Sequence, residues 1–233
     1  MERENKPDYI FKAFVVNTAA YDAVDREASG AWLYFPPRLG EVEALMEQIG
    51  LPDGGSYFMD DYVSHVEGLK SVLPMYGDID ELSKLAQGIA DLSPDDRELL
   101  AAVQESPYRL TTLEQFREFP ANTEYFVLEQ NINRAEDLGW RYLAQHMDVL
   151  LPKELLDTID SVPFGRHAMQ EEQGCFTKHG YLTLSGDDWQ HERPAEKQAE
   201  KKPSIRERLE QNKKECAKQG KAQPHRGKTA PER

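Results

Sequence analysis

Apolar positions along the 233-residue chain change period from segment to segment, and the changes predict its elements. From Tyr9 to Asn17 the run YIFKAFVVN is rich in aromatic and β-branched residues, and AWLYF (Ala31 to Phe35) repeats that character before Pro36 and Pro37. Such runs predict two strands joined by a polar loop. Leu39, Val42, Leu45, Met46 and Ile49 then share one helical face, ended by Gly50 and Pro52. SYFMDDYV (Ser56 to Val63) reads as a third strand, which makes a small antiparallel α+β unit.

Beyond Glu67 the period becomes helical. Ile79, Leu82, Leu85, Ala86, Ile89 and Leu92 form one amphipathic stripe, and Ser93-Pro94 supplies an N-cap and N1 proline for a second helix carrying Leu99, Leu100 and Val103. A third unit mixes both periods. Thr111 to Phe119 reads as a short helix, Glu124 to Gln130 as a strand, Asn133 to Met147 as a helix capped by Asn133, and Pro152 to Ile159 as another helix. Cys175 to Thr177 and Gly180 to Leu184 read as a closing hairpin. The expected fold class is therefore α+β, with an N-terminal α+β domain over 1–65, a helical domain over 66–108 and a C-terminal α+β domain over 109–186. Residues 187–233 are nearly devoid of apolar side chains and are expected to form a flexible basic tail, with a nascent helix at the Ser204-x-x-Glu207 capping box.

Charge alters this picture. Residues 1–190 hold 35 acids and 15 bases, a net −20, whereas residues 191–233 hold 7 acids and 13 bases, a net +6. A small soluble domain needs a net charge of only about 2–8 in magnitude. Glu43 and Glu47 stand at i, i+4, where like charges oppose the helix, and no Lys or Arg occurs between Glu41 and Asp61. Lys84 and Arg97 are the only bases from residue 71 to 105. So acidic a chain is not a free basic nucleic-acid binder. No apolar run approaches the roughly 18 residues of a membrane span. A charged N-terminus and two cysteines 41 positions apart suit a reducing cytoplasm.

Catalytic signatures are absent: the chain has no phosphate-binding glycine loop, H-E-x-x-H helix, paired CxxC or G-x-S-x-G elbow. Cys175, His179 and His167 lack a second ligand pair for a metal, and the acid pairs Asp60-Asp61, Asp95-Asp96, Glu171-Glu172 and Asp187-Asp188 read as surface or helix-start acids. No enzyme activity, metal or cofactor is expected. The acid excess instead has a counterpart in duplex DNA, which carries one negative charge per about 1.7 Å of axis. A dimer of a −20 body would match the phosphates of roughly 20 base pairs, about 70 Å of duplex.

Several segments resemble the ArdA antirestriction proteins of conjugative plasmids and transposons. They are FVVNTAAYDAVDREASGAWLYFP (Phe14 to Pro36), YFMDDY (Tyr57 to Tyr62), IDELSKLAQGIADLSPDDRELLAAV (Ile79 to Val103), EDLGWRYLAQ (Glu136 to Gln145) and IDSVPFGRHAMQEEQGCFTKHGYL (Ile159 to Leu182). The last carries the aromatic-Gly-Arg step Phe164-Gly165-Arg166, read as a structural turn, and the ending His179-Gly180-Tyr181. The resemblance implies an elongated homodimer of three small domains that mimics B-form DNA, occupies the DNA-recognition part of type I restriction-modification enzymes and protects incoming mobile-element DNA. It implies no catalysis, and many relatives lack a basic tail.

The expected phosphate-mimic surface comprises Glu41, Glu43, Glu47, Asp60, Asp61, Asp80, Glu81, Asp91, Asp95, Asp96, Glu98, Glu105, Glu136 and Asp137. Leu138, Tyr142, Leu143 and Met147 are expected as core or dimer contacts. The alternative is an acidic module that binds a basic host protein without duplex mimicry; a carboxylate-metal phosphohydrolase ranks below both. The +6 tail is expected either to shield part of the acidic surface or to dock a second partner, so removing residues 191–233 strengthens inhibition of a restriction enzyme or abolishes a tail-dependent interaction, in a salt-dependent way. No change in either at low salt would refute the idea.

Overall fold

A computed structural model of the chain describes residues 9–21, 29–52, 54–147 and 152–191. The fold is α+β: two three-stranded antiparallel sheets, with eight α-helices among the described residues. The first sheet has the order β2-β1-β3, from β1 (Phe11–Asn17), β2 (Gly30–Phe35) and β3 (Tyr57–Ser64). Strand alternation turns Phe11, Ala13, Val15, Leu33 and Phe35 into the core and leaves Lys12, Phe14, Trp32 and Tyr34 on the outer face. In β3, Phe14 faces Asp61 and Val15 faces Met59, so Asp60 is the extra residue of a bulge. That shift lets Met59 and Tyr62, three positions apart, both be buried.

Asn17, buried at the end of β1, donates to the carbonyls of Ile49 and Gly50 at 3.1 and 3.2 Å. It thereby satisfies the C-terminal end of α2 (Glu41–Gln48). Its Oδ1 accepts from Ala19 N at 3.0 Å and starts a short α1 (Thr18–Tyr21) within the expected polar loop. Residues 22–28 of that loop lie outside the described residues. Leu39, expected on the apolar face of α2, is instead fully exposed. Gly40, at φ 81°, is the N-cap, so the helix begins only at Glu41 and Leu39 sits in the preceding turn.

Three helices follow the first sheet: α3 (Ile79–Ala90), α4 (Pro94–Glu105) and α5 (Leu113–Glu118). Ser93 caps α4 as expected, its Oγ accepting from Asp96 N at 3.1 Å. Asp78 caps α3, and Thr112 with Gln115 forms a capping box on α5. One apolar cluster runs from the inner face of the first sheet through α3, α4 and α5 to Phe126 and Leu182.

Phe126 and Leu182 belong to the second sheet, β4-β6-β5, made by β4 (Phe126–Glu129), β5 (Cys175–Thr177) and β6 (Gly180–Leu184). Strand β6 is buried on both faces. Leu182 joins the large cluster, while Tyr181 packs with Ile132, Leu138 and Ala168 in a second, small core beneath α6 (Ala135–His146) and α8 (Val162–Glu171). Between those helices lies α7 (Lys153–Leu156). The chain is held as far as Gln190: Trp189 Nε1 donates to Glu118 Oε2 at 2.7 Å, and Gln190 N donates to Asn122 Oδ1 at 2.6 Å. The Ser204 capping box and the tail beyond His191 lie outside the described residues.

Two expectations are corrected in the C-terminal unit. Asn133 does not cap α6; Arg134 is the N-cap residue without a side-chain cap bond, and Asp137 in the first turn reaches back to Asn133 N at 3.3 Å. Phe164-Gly165-Arg166 is not a turn but lies inside α8. The Val-Pro-Phe-Gly sequence reads as a breaker, yet Pro163 occupies the first turn, where its missing N–H costs nothing. Gly165 has a different purpose. A Cβ there would lie 1.8 Å from the Ala135 carbonyl oxygen, and one on Gly139 would lie 1.9 Å from that of Ser161. Helices α6 and α8 therefore cross backbone to backbone at two glycines, and Ser161 Oγ, just before α8, adds a bond to the Glu136 carbonyl at 3.0 Å.

Gly139→Ala and Gly165→Ala are each expected to destabilise the protein by at least the roughly 1–3 kcal/mol of ordinary overpacking. Thermal unfolding then shows a lower Tm for both variants. Unchanged melting would contradict the close crossing.

Candidate functional site

None of the fourteen expected mimic acids is buried, although their surroundings differ. Eight stand in the first turns of helices: Glu41 and Glu43 on α2, Asp80 and Glu81 on α3, Asp95 and Asp96 on α4, Glu136 and Asp137 on α6. There the positive end of the helix dipole favours a carboxylate. Glu43, Glu47, Asp80 and Asp95 are exposed, with no side-chain hydrogen bond or ion pair among the described residues. Asp91 accepts from Gln87 Nε2 at 2.7 Å, and Asp96 from Ser93 Oγ at 2.7 Å.

Other acids have cations nearby. Asp61 meets Lys70 at 3.0 Å; Glu81 meets Lys84 at 2.9 Å and Arg117 at 3.9 Å. Arg134 lies 3.5 Å from Glu136 and 3.4 Å from Asp137. Such exposed pairs add little to stability. Glu98 and Glu105 differ, because they tie α4 to the β5–β6 hairpin. His179 Nδ1 is 3.3 Å from Glu98, while Glu105 accepts from Lys178 Nζ at 2.7 Å and from Lys178 N at 3.1 Å. The side-chain hydrogen bond from Lys178, then its backbone N–H, holds the Glu105 carboxyl below its ordinary 4.5, and the same pairing raises Lys178.

Asp95 and Asp96 also line a cleft of about 380 Å³ with Glu124, Phe126, Leu128 and Gln130. It is acidic, open and without a cation among its lining residues. Among the described residues, no group of three or more His, Cys, Asp or Glu is placed to hold a metal ion. His167 lies 3.3 Å from Glu171 and His179 3.3 Å from Glu98, while burial raises the Cys175 thiol. No helix of the described residues is long and apolar enough to cross a membrane.

Leu138 and Leu143 are buried, with Leu138 in the small core. Tyr142 is half-buried against that core and stacks on His146 at 4.0 Å; Met147 is half-buried at the end of α6. Sequence patterning does not single out Arg141, yet it organises this unit. Its guanidinium pairs with Glu129 of β4 and Glu172 beyond α8, and lies 5.6 Å from the ring centre of Tyr181. Those acids are 12 and 31 positions away, and Lys178 is 73 from Glu105, so no local spacing announces either link.

A family model described as antirestriction protein (ArdA) matches residues 13–183. Among curated proteins none matches the chain. The matched span contains both sheets almost whole, all eight helices and all fourteen acids, and stops short of the Trp189 contact.

Because the folded pKa of Glu105 is below its unfolded value, the pairing contributes fully above the unfolded pKa and is lost as pH falls through the folded one. Glu105→Ala is expected to flatten the fall in stability below pH 4.5 and to speed amide exchange at Lys178. Identical acid limbs in urea titrations of the two proteins would contradict this role.

Proposed function

The chain belongs to the ArdA family of antirestriction proteins, and on that premise we propose that it acts as a DNA mimic, occupying the DNA-binding cleft of type I restriction-modification enzymes. The observation that carries the proposal is the solvent-facing set Glu43, Glu47, Asp80 and Asp95, spread over three successive helices and making no side-chain hydrogen bond or salt bridge among the described residues. Fixed carboxylates compete for the Lys and Arg groups that bind phosphate, while offering no phosphodiester to cut and no base to methylate. Binding is the whole of the activity in this reading, with no catalytic step and no cofactor.

The remaining acids of the fourteen enlarge that surface, with Glu98 and Glu105 contributing least because His179 and Lys178 hold them. Three units in series, doubled in a homodimer, would spread 40 excess charges along a length comparable to about 20 base pairs. The setting is the cytoplasm of a cell receiving unmodified mobile-element DNA.

The test is a competition titration against a type I enzyme bound to its labelled DNA site, at two salt concentrations. Wild-type protein is expected to displace DNA stoichiometrically, weakening steeply with salt. Neutralising Asp95 alone weakens displacement by only a few fold, as expected for one exposed charge. Combining Glu43→Gln, Glu47→Gln, Asp80→Asn and Asp95→Asn weakens it by about tenfold or more at low salt and reduces the salt slope. One substitution that abolished displacement without unfolding the protein would replace the distributed surface by a localised site. Failure of wild-type protein across several type I enzymes would favour an acidic module for another basic partner.

A further inference from the structure

The acids leave one exposed surface unexplained, and it is apolar. Tyr76 is 79% exposed, Met75 53% and Tyr21 42%. Phe58 lies between the two tyrosines, with ring centres 5.3 Å from Tyr21 and 6.3 Å from Tyr76. Phe58, Met75 and Tyr76 stand on anchored backbone. Tyr62 Oη donates to the Pro74 carbonyl at 2.8 Å, and Met59 N donates to the Met75 carbonyl at 2.7 Å, so the segment before α3 is tied to β3 at two consecutive residues. On its far side Ile79 N meets Tyr57 Oη at 3.4 Å. An exposed aromatic side chain on an anchored backbone binds without a further cost of ordering the backbone, which suits it to act as an interface hot spot.

The surroundings specify the partner. From Ser71 to Ser83 the chain has three acids, Asp78, Asp80 and Glu81, and no Lys or Arg. Glu81 is held by Lys84 and Arg117, but Asp78 and Asp80 make no ion pair among the described residues, so the patch is followed directly by the acidic start of α3, and its complement is an apolar spot set in basic surroundings. DNA-binding clefts have that composition: cations face phosphates, while apolar side chains meet bases and sugars. We infer that Tyr21, Phe58, Met75 and Tyr76 form an apolar anchor that seats in the basic DNA-binding cleft of the target restriction enzyme, where the cleft would touch bases rather than phosphates. The inference rests on the cleft-occupying function proposed above. It assigns to this patch the part of the affinity that salt does not screen.

The experiment compares wild-type protein with the double variant Met75→Ala, Tyr76→Ala in the same competition titration at low and high salt. Circular dichroism and thermal unfolding confirm that both are folded. Sedimentation at the titration concentrations compares their oligomeric states. The anchor predicts that the variant requires about tenfold or more protein for half-displacement at both salt concentrations, with the slope against log salt unchanged. A variant that displaces DNA within about twofold of wild type overturns the anchor while leaving the acidic mimic intact. A change of oligomeric state overturns it in favour of a contact between copies of the chain. Absence of displacement by wild-type protein removes the cleft reading itself, and the anchor with it.

Discussion

The structure is governed by the need to hold together a body whose net charge is −20. Repulsion on that scale opposes compaction, and the fold answers it locally. Four helices begin with a pair of acids, so the positive ends of their dipoles face eight of the negative charges. Three cations act across long sequence separations: Lys178 and His179 hold α4 to the second sheet, and Arg141 holds β4 to the end of α8. Carboxylates thus serve as helix-start residues and cross-links as well as presenting charge.

Packing supplies the rest. Strand β6 places Leu182 in one apolar cluster and Tyr181 in the other, so the second sheet is shared between helices α3–α5 and the α6–α8 pair. That pair is close because two glycines remove the side chains that would separate the backbones. Both glycines lie in segments through which the sequence resembles its family, EDLGWRYLAQ and the stretch around Phe164-Gly165-Arg166. The signature of those segments is therefore at least partly a packing signature, imposed by helix contact rather than by contact with a target.

Much of the fold could be read from the sequence because its signals are local. The six strands, the stripes of α3 and α4 and the Ser93 cap follow from periodicity and capping chemistry confined to a few residues. Helix α8 escaped that reading because Pro163 and Gly165 look like breakers until a neighbouring helix supplies the reason for the glycine. Leu39 fits the helical stripe in sequence but lies outside α2, because the left-handed Gly40 starts the helix only after it. At the candidate site, acid content was visible but pairing was not: Glu98 and Glu105 look as free as Glu43 and Glu47 until hairpin β5–β6 brings His179 and Lys178 against them. The exposed aromatic patch was hidden for a similar reason, since Tyr76 in sequence resembles any loop tyrosine and only the bonds to Pro74 and Met75 show that its backbone is fixed.

Trp189 illustrates how far a single side chain can report on this architecture. It packs edge-on against Tyr125 and Phe126 with its indole N–H on Glu118, beyond the last residue of the family match. The chain's other two tryptophans stand elsewhere, Trp32 beneath the Lys12 ammonium on the outer face of the first sheet and Trp140 partly exposed on α6. Substituting those two by phenylalanine leaves an intrinsic fluorophore whose emission colour and quenching follow one event, the parting of the Trp189 segment from α5 and β4. The chain therefore carries its own optical gauge at the junction between its acidic body and its basic extension.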